Sequence, residues 1–305
     1  MMSLLSCSHI VDSIDSKKPV ATQIAGTDFV EISAGTMTLG YLRYGSTLFS
    51  SSYYDSYFVT LTRAFQICNH EVTQSEWQTI MSNNPSYFQG DDEGKKVTLV
   101  ETQELRPVER VSWYDAIVYC NKLSIKEGLE PCYTVEGVNF STLKYEDVPT
   151  NYDNKWNLVT CDFRKNGYRL PTAAEWEIAA RGGLTGDVYP GTVSVNKLDA
   201  YAWYGRNSEN RTHEVKKKQP NGYGLYDMGG NVLEWCWDWG GAGEYRKTAT
   251  DPTGPYIPYS FDRMVHGSYW GDEDHLCKVY RILSDPSYYR HWAVGFRVVR
   301  SVVVD

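Results

Sequence analysis

Residues 265–300 read VHGSYWGDEDHLCKVYRILSDPSYYRHWAVGFRVVR. Two blocks suited to a scaffold enclose a segment that is not. Gly267-Ser268-Tyr269-Trp270 is a small-residue turn followed by aromatics. Val294-Gly295-Phe296-Arg297-Val298-Val299 is a strand-like run rich in β-branched residues. Between them Asp272, Asp274, His275, Tyr280, Ser284, Asp285, Ser287, Tyr288, Tyr289, His291 and Trp292 follow neither a helical nor a strand period. A polar, aromatic, aperiodic segment between two core blocks reads as surface loops held on a rigid frame. Tyr and Trp supply rigid contact area at low entropy cost, and small polar residues supply adaptable hydrogen bonds. The competing reading is a plain solvated loop with stray aromatics; apolar surface clustered in one loop favours binding.

Upstream, the chain alternates short strands with capped helices. Phe29 to Ile32, Gly35 to Gly40, Tyr57 to Leu61 and Phe65 to Cys68 read as strands and turns. Thr73-Gln74-Ser75-Glu76 is a capping box, as is Thr172-Ala173-Ala174-Glu175, and Ser112 opens a third helix that stops at Gly128. Glu76 and Glu175 are therefore caps and not catalytic acids. Tyr133 to Val135 and Trp156 to Thr160 read as short strands, and the Gly-rich turns after Asn221 feed an aromatic strand through Trp235. Few helices, short strands and long loops give an α+β domain with a large irregular fraction. Residues 1–28 read as a polar tether and 29–301 as the folded domain.

Composition bounds the function. The chain has 305 residues, enough to bury a sizeable core, with 24 Tyr and 10 Trp. A net charge of −8 argues against nucleic acid as a partner. Lys216-Lys217-Lys218 reads as a solvated loop. The seven cysteines form no C-x-x-C pair, so neither a zinc ribbon nor a thioredoxin-type site is indicated. Cys120 and Cys236 lie in apolar runs and are expected to be buried. Leu4-Leu5-Ser6-Cys7 resembles a lipobox, which makes Cys7 a candidate lipidation site and the outer membrane surface the expected location; without that anchor the chain is expected to be soluble.

The blocks taken together resemble the formylglycine-generating-enzyme, or sulfatase-modifying-factor, family. They are residues 29–40, His70-Glu71-Val72-Thr73, Arg106-Pro107-Val108 with Val111-Ser112-Trp113, residues 168–172 with Glu175-Trp176-Glu177, residues 221–228, Gly230-Asn231-Val232 with Glu234-Trp235, Gly267-Ser268, and Gly295-Phe296-Arg297. They occur in the family's order and span nearly all of the chain after Phe29. The resemblance implies a C-type-lectin-like fold: a small, twisted, mostly antiparallel sheet with few helices and many long loops.

Enzymes of that family oxidise a substrate cysteine with a pair of copper-binding cysteines. Here the first position falls near Gly271, and Cys277 has no second cysteine close in sequence. A lone thiol cannot supply a two-thiolate copper site, so the chain is expected not to be an enzyme, with Cys277 as a core residue. The alternative is a formylglycine-generating-type oxidase acting by an altered route.

The same departure resembles the C-terminal region of variable proteins diversified by bacterial retroelements. That likeness implies a fixed frame of Gly267, Ser268, Trp270, Cys277, Arg281, Pro286, Arg290, Gly295, Phe296 and Arg297. It implies a ligand-binding surface within 265–297 built from Trp270, Gly271, Asp272, Asp274, His275, Leu276, Tyr280, Ile282, Leu283, Ser284, Asp285, Ser287, Tyr288, Tyr289, His291, Trp292 and Ala293. Asn codons altered at their adenines cannot give Trp or Glu, so Trp292 and Glu273 are not expected to be diversified; Trp292 remains a candidate fixed contact. The implied partner is a protein or other macromolecule, bound by a monomer.

No cofactor is required by this reading. Asn231 and Glu234 match one structural calcium site of the family, with a hydrogen-bonded turn as the equal alternative, since two side chains are too few for a full shell. His70 is expected to bond within the core. His266, His275 and His291 form a zinc site only if the fold brings them together. Asp272-Glu273-Asp274 reads as a solvated acidic loop.

Overall fold

Period-two burial marks the first strands of the chain, with every second side chain of 29–32 and 57–61 withdrawn from solvent. The computed structural model describes residues 17–40, 56–90, 101–186, 188–240, 248–255 and 261–302. In chain order the elements are β1 (Ala21–Gln23), β2 (Phe29–Ile32), β3 (Gly35–Leu39), β4 (Tyr57–Leu61), β5 (Phe65–Cys68), α1 (Gln74–Met81) and α2 (Trp113–Lys126). They continue with β6 (Tyr133–Thr134), α3 (Asn154–Asn157), β7 (Thr160–Cys161), β8 (Tyr168–Arg169) and α4 (Ala173–Arg181). The last are β9 (Leu233–Trp239), β10 (Ala249–Thr250), β11 (Asp262–His266), β12 (Ile282–Pro286), β13 (Val294–Gly295) and β14 (Val299–Ser301).

The strands form small, mostly antiparallel sheets. A five-stranded sheet has the order β1-β2-β5-β14-β8, a four-stranded sheet β12-β11-β9-β13, a three-stranded sheet β10-β4-β3, and β6 pairs with β7. This is a C-type-lectin-like fold, with its strands divided among several sheets where the sequence suggested one. The strand-like block near the C-terminus is divided too. Val294–Gly295 runs parallel to β9, whereas Val299–Ser301 joins β5 and β8. Phe296, Arg297 and Val298 thus cross between two sheets with their side chains buried.

The three capping boxes form as read. Thr73, Ser112 and Thr172 each accept from the backbone N–H of Glu76, Asp115 and Glu175, and each acid answers the cap's own N–H. Gly182, in the left-handed region at φ +54°, ends α4. One core gathers Trp77, Trp113, Tyr119, Trp235 and Phe296 around α2; a second gathers Ile67, Trp176, Cys236, Met264 and Val299 around α4. The polar ends of the buried indoles are met: Trp113 Nε1 donates to Cys236 O at 2.8 Å, and Trp235 Nε1 to Val111 O at 2.9 Å. Cys120 and Cys236 are buried as expected.

Three expectations need correction. The fold begins before Phe29, because β1 pairs antiparallel with β2 from Ala21↔Ile32 to Gln23↔Val30. Residues 154–157 are helical, since Asp153 caps Trp156 N at 3.1 Å, and only Thr160 of that run enters a strand. Residues 282–286 are a strand, not a loop, and form the edge of the four-stranded sheet beside β11. The three lysines lie on a loop as read, with Lys216 and Lys217 exposed, and make surface contacts: Lys216 to Asp28 at 2.8 Å, Lys217 to Glu214 at 2.6 Å, and Lys218 to Asp199 O at 2.6 Å. Cys7 lies outside the described residues.

Candidate binding surface

The C-terminal segment is pinned to the body by polar contacts from both ends. Ser268 Oγ accepts from Gly230 N at 2.7 Å, Trp270 N donates to Asn231 O at 3.0 Å, and Ser208 Oγ donates to Trp270 O at 2.7 Å. A side chain at Gly230 would overlap the Trp203 carbonyl, so the turn approaches as closely as it does only with glycine. Farther on, Arg290 grips Asp115 through two hydrogen bonds of 2.6 and 2.7 Å, and Arg110 N donates to His291 O at 3.1 Å. Ser287 Oγ meets Asn157 Oδ1 at 2.8 Å.

On this frame the aromatic rings assemble into a row. Trp270 and Trp292 lie 4.9 Å apart between ring centres, His291 lies 4.4 Å from Trp292, and Tyr289 stacks on His291 at 5.6 Å. Tyr269 meets Trp292 edge-on at 5.8 Å. Two further rings extend the row from a distant part of the chain: Phe88 stands edge-on to Trp270 at 5.4 Å, and Tyr87 to Phe88 at 5.1 Å. Neither was singled out from the sequence; the signal present is the short aromatic turn Pro85-Ser86-Tyr87-Phe88. Tyr289 and Tyr87 are exposed, Trp270, His291 and Trp292 half-buried, and Phe88 fully buried behind Trp270.

Glu109 is fully buried against the Phe88 backbone. Its Oε1 accepts from Phe88 N at 2.9 Å, while its Oε2 is buried without a partner, as is Trp270 Nε1. Burial pushes the Glu109 carboxyl up to about 8, against the pull of the Phe88 and Tyr87 backbone and of Arg110.

The other expected positions divide by burial. Leu283 and Ser284 are exposed on the edge strand, and Asp285 half-buried there, its carboxyl raised by burial and by Asp262. Asp274, His275 and Leu276 form one short helical turn, with His275 Nδ1 3.3 Å from Glu273. Tyr280 and Ile282 pack against the α4 core, and Tyr288 against the α2 core. Gly271 lies against the Tyr269 ring. Three positions are corrected. Asp272 is buried, paired with Arg281 and accepting from Tyr269 N at 3.0 Å, so the acidic run is not a solvated loop at that residue. Ser287 and Ala293 are fully buried. All three belong to the frame, because their neighbours leave no face for a ligand.

The three histidines do not meet. His266 is buried and stacked 4.8 Å from Trp176, where burial pulls it down to about 3; His275 is exposed, and His291 lies in the ring row. Among the described residues no three His, Cys, Asp or Glu side chains are placed to hold a metal ion. Asn231 and Glu234 do not fit calcium. Glu234 receives two hydrogen bonds of 2.7 Å from Arg297 and one of 2.7 Å from Trp176 Nε1, while Asn231 Oδ1 accepts from His213 N at 2.9 Å. A carboxylate whose two oxygens already face a guanidinium offers a cation no free ligand.

Cys277 sits in a small apolar cluster with Tyr189, Leu198, Ala202 and Tyr204. Its Sγ lies 3.6 Å from Glu273 O, and burial pushes the thiol up to about 12. It is a free thiol, as are the five other described cysteines.

Comparison with known proteins agrees with this architecture. Residues 16–302 match the family described as sulfatase-modifying factor enzyme 1-like domain. The chain is 41% identical to the chaperone protein LppX of Paenibacillus barcinonensis over 207 residues, 62% of this chain and 67% of that protein. It is 38% identical to the formylglycine-generating enzyme of Streptomyces coelicolor over 144 residues, 43% of this chain and 45% of the enzyme. It therefore spans about two thirds of the first relative's length and less than half of the second's. Among solved structures, the Treponema denticola variable protein 1 superposes with a TM-score of 0.81 at 40% identity, covering 94% of this chain and 100% of that one. Among the described residues no helix is long and apolar enough to cross a membrane.

Proposed function

The chain belongs to the sulfatase-modifying factor enzyme 1-like family, and from that premise we propose that it is a non-catalytic binding protein whose C-terminal region displays a diversified ligand site. The observation that carries the reading is the ring row itself. Tyr289, His291, Trp292 and Trp270 form one continuous aromatic surface, backed by the buried ring of Phe88, on a frame locked by Arg290–Asp115 and Arg281–Asp272. Rigid aromatics flanked by small polar side chains suit recognition of a protein or other macromolecule. The likeness to the Treponema denticola variable protein 1 supports the same reading. Display as a monomer at the outer membrane surface through a lipidated Cys7 is the arrangement we propose for it.

The chemistry of Cys277 weighs against the oxidase alternative. A thiol held protonated by burial, with no described cysteine paired to it, is a poor ligand for Cu(I). The test is incubation of the protein with a cysteine-containing peptide, copper and oxygen, read by mass spectrometry. No aldehyde product is expected. Aldehyde that appears with the native chain and disappears with Cys277→Ser would overturn the proposal.

A further inference from the structure

β12 is the outer strand of its sheet, paired with β11 and, among the described residues, with no other strand. Two hydrogen bonds fix which of its backbone groups face outward. Gly267 N donates to Arg281 O at 3.4 Å, toward β12, and Gly240 N donates to Asp262 O at 2.7 Å, on the β9 side of β11. In an antiparallel ladder this direction alternates residue by residue. Gly267, Val265 and Arg263 therefore turn toward Arg281, Leu283 and Asp285, while Ile282 and Ser284 turn away from β11. The N–H and carbonyl of Ile282 and of Ser284 point off the sheet, and no described residue takes them. The open stretch ends at Pro286, which has no N–H and whose carbonyl accepts from Tyr289 N at 2.9 Å.

The side chains along this edge are ordered by charge. Leu283 lies opposite Val265 of the α2 core, and Asp285 lies opposite Arg263, whose guanidinium covers the Trp113 ring. Both therefore stand on the α2 side of the sheet, and Arg281, two residues earlier, shares that side. Leu283 is 38% exposed, an apolar side chain on an edge of the kind that proteins normally blunt. Asp285 forms no ion pair among the described residues, and the charge that acts on it is Asp262, of the same sign. Arg281 gives Nη1 to Asp272 and keeps part of its side chain in solvent. From Arg281 to Asp285 this side of the edge runs basic, apolar, acidic.

We propose that β12 binds an extended segment of a protein partner as an added antiparallel strand, and that the segment carries the order basic, any residue, apolar, any residue, acidic. Running antiparallel, its basic side chain meets Asp285, its apolar one Leu283 and its acidic one Arg281. Its two intervening residues exchange backbone hydrogen bonds with Ser284 and Ile282. The backbone bonds supply affinity whatever side chains stand at 282–285, and the side chains supply the choice of partner. That division suits a region whose residues are rewritten, and the inference rests on the reading of residues 265–297 as a binding surface.

The probe is the peptide acetyl-Thr-Arg-Thr-Val-Thr-Glu-Thr-amide, titrated into the isotope-labelled full chain and followed by NMR. Saturable shifts at the Ile282 and Ser284 amides are expected. Methylating the backbone nitrogens of the peptide's third and fifth residues, which face Ser284 and Ile282, should weaken binding about tenfold or more. Methylating the central Val nitrogen, which points away from β12, should change binding by no more than about twofold. Asp285→Lys should weaken the peptide about fivefold and favour a peptide with Glu in place of Arg. If that variant fails to fold, the methylated peptides carry the test on the native chain. No shift at Ile282 and Ser284 at the highest soluble peptide concentration, or the same effect from methylating either set of nitrogens, would overturn the proposal. So would a chain that sediments as a dimer and is released by Ser284→Pro, because a second copy would then hold the edge. These failures touch strand addition alone; aldehyde formation is what overturns the binding reading itself.

Discussion

The guanidinium of Arg290 meets the carboxylate of Asp115 at 2.6 and 2.7 Å across 175 residues of sequence. Asp115 is fully buried and is also the acid of the α2 capping box, bonded to Ser112 N at 2.8 Å. One carboxylate therefore fixes both the start of a core helix and the base of the binding loop. Arg290→Ala leaves that carboxylate buried and without its cation. A loss of about 2–4 kcal/mol is expected, at the low end because Arg290 is partly open to solvent. Arg290→Lys restores charge but not the two-pronged contact and should recover only part. Urea melts give the answer; an unchanged midpoint in Arg290→Ala would show that the pair is decorative.

Burial divides the C-terminal segment into replaceable and fixed positions. Tyr289→Ala, Leu283→Ser and His275→Ala change exposed side chains and should move stability by no more than about 0.5 kcal/mol. Ser287→Tyr and Ala293→Tyr insert rings where no room exists and should cost about 2 kcal/mol or more. Thermal melts of the five variants test the division. Tolerance of tyrosine at Ser287 or Ala293 would return those positions to the surface.

Glu109 should make stability fall with rising pH. Its folded carboxyl titrates near 8, above the ordinary glutamate value, so the native state holds a proton that the unfolded chain has released. That contribution is complete below the unfolded value, erodes above about pH 4.5, and is gone once pH passes about 8. The fall should amount to a few kcal/mol, on the order of what such a shift implies. Glu109→Gln removes the titration, and its stability should be flatter than the native protein's from about pH 5 to 8. Parallel pH profiles in the two proteins would contradict the assignment.

Glu234 and Arg297 form a buried pair with no solvent-exposed side. Glu234→Gln strands the guanidinium and should cost about 3–5 kcal/mol. Because the partner is an arginine and not a cation from solution, the loss should be the same in calcium and in chelator. A penalty that depends on calcium would return Asn231 and Glu234 to metal binding.

What the sequence disclosed was local. The capping pairs Thr73–Glu76, Ser112–Asp115 and Thr172–Glu175 are three residues apart, and nothing distant is needed to form them. Residues 282–286 escaped because an edge strand has one neighbour and shows no clean alternation; its pattern runs half-buried, exposed, exposed, half-buried, half-buried. Trp156 suggested a strand by composition, but Asp153 supplies an N-cap and the helix wins. In the binding surface, Tyr289, His291 and Trp292 were legible because they are neighbours in sequence. The buried support that Phe88 gives from behind was not, since its contact with Trp270 exists only after α1, α2 and the sheets have packed. Asp272, Ser287 and Ala293 were misplaced for the same reason: small or polar residues in a loop show nothing of what lies behind them.

The account rests on the C-terminal surface being rewritten while its frame stays fixed, and the most direct measurement is the DNA sequence beside the gene. A near-copy of the codons for residues 265–297 should be present, differing only where the copy has adenine, with a reverse-transcriptase gene close by. The differing codons should fall on exposed or half-buried positions such as His275, Leu283, Ser284, Tyr289 and His291, and spare Asp272, Cys277, Ser287, Trp292 and Ala293. A flanking sequence with no such copy, or a copy whose adenine differences fall mainly on the buried frame, would contradict the central claim.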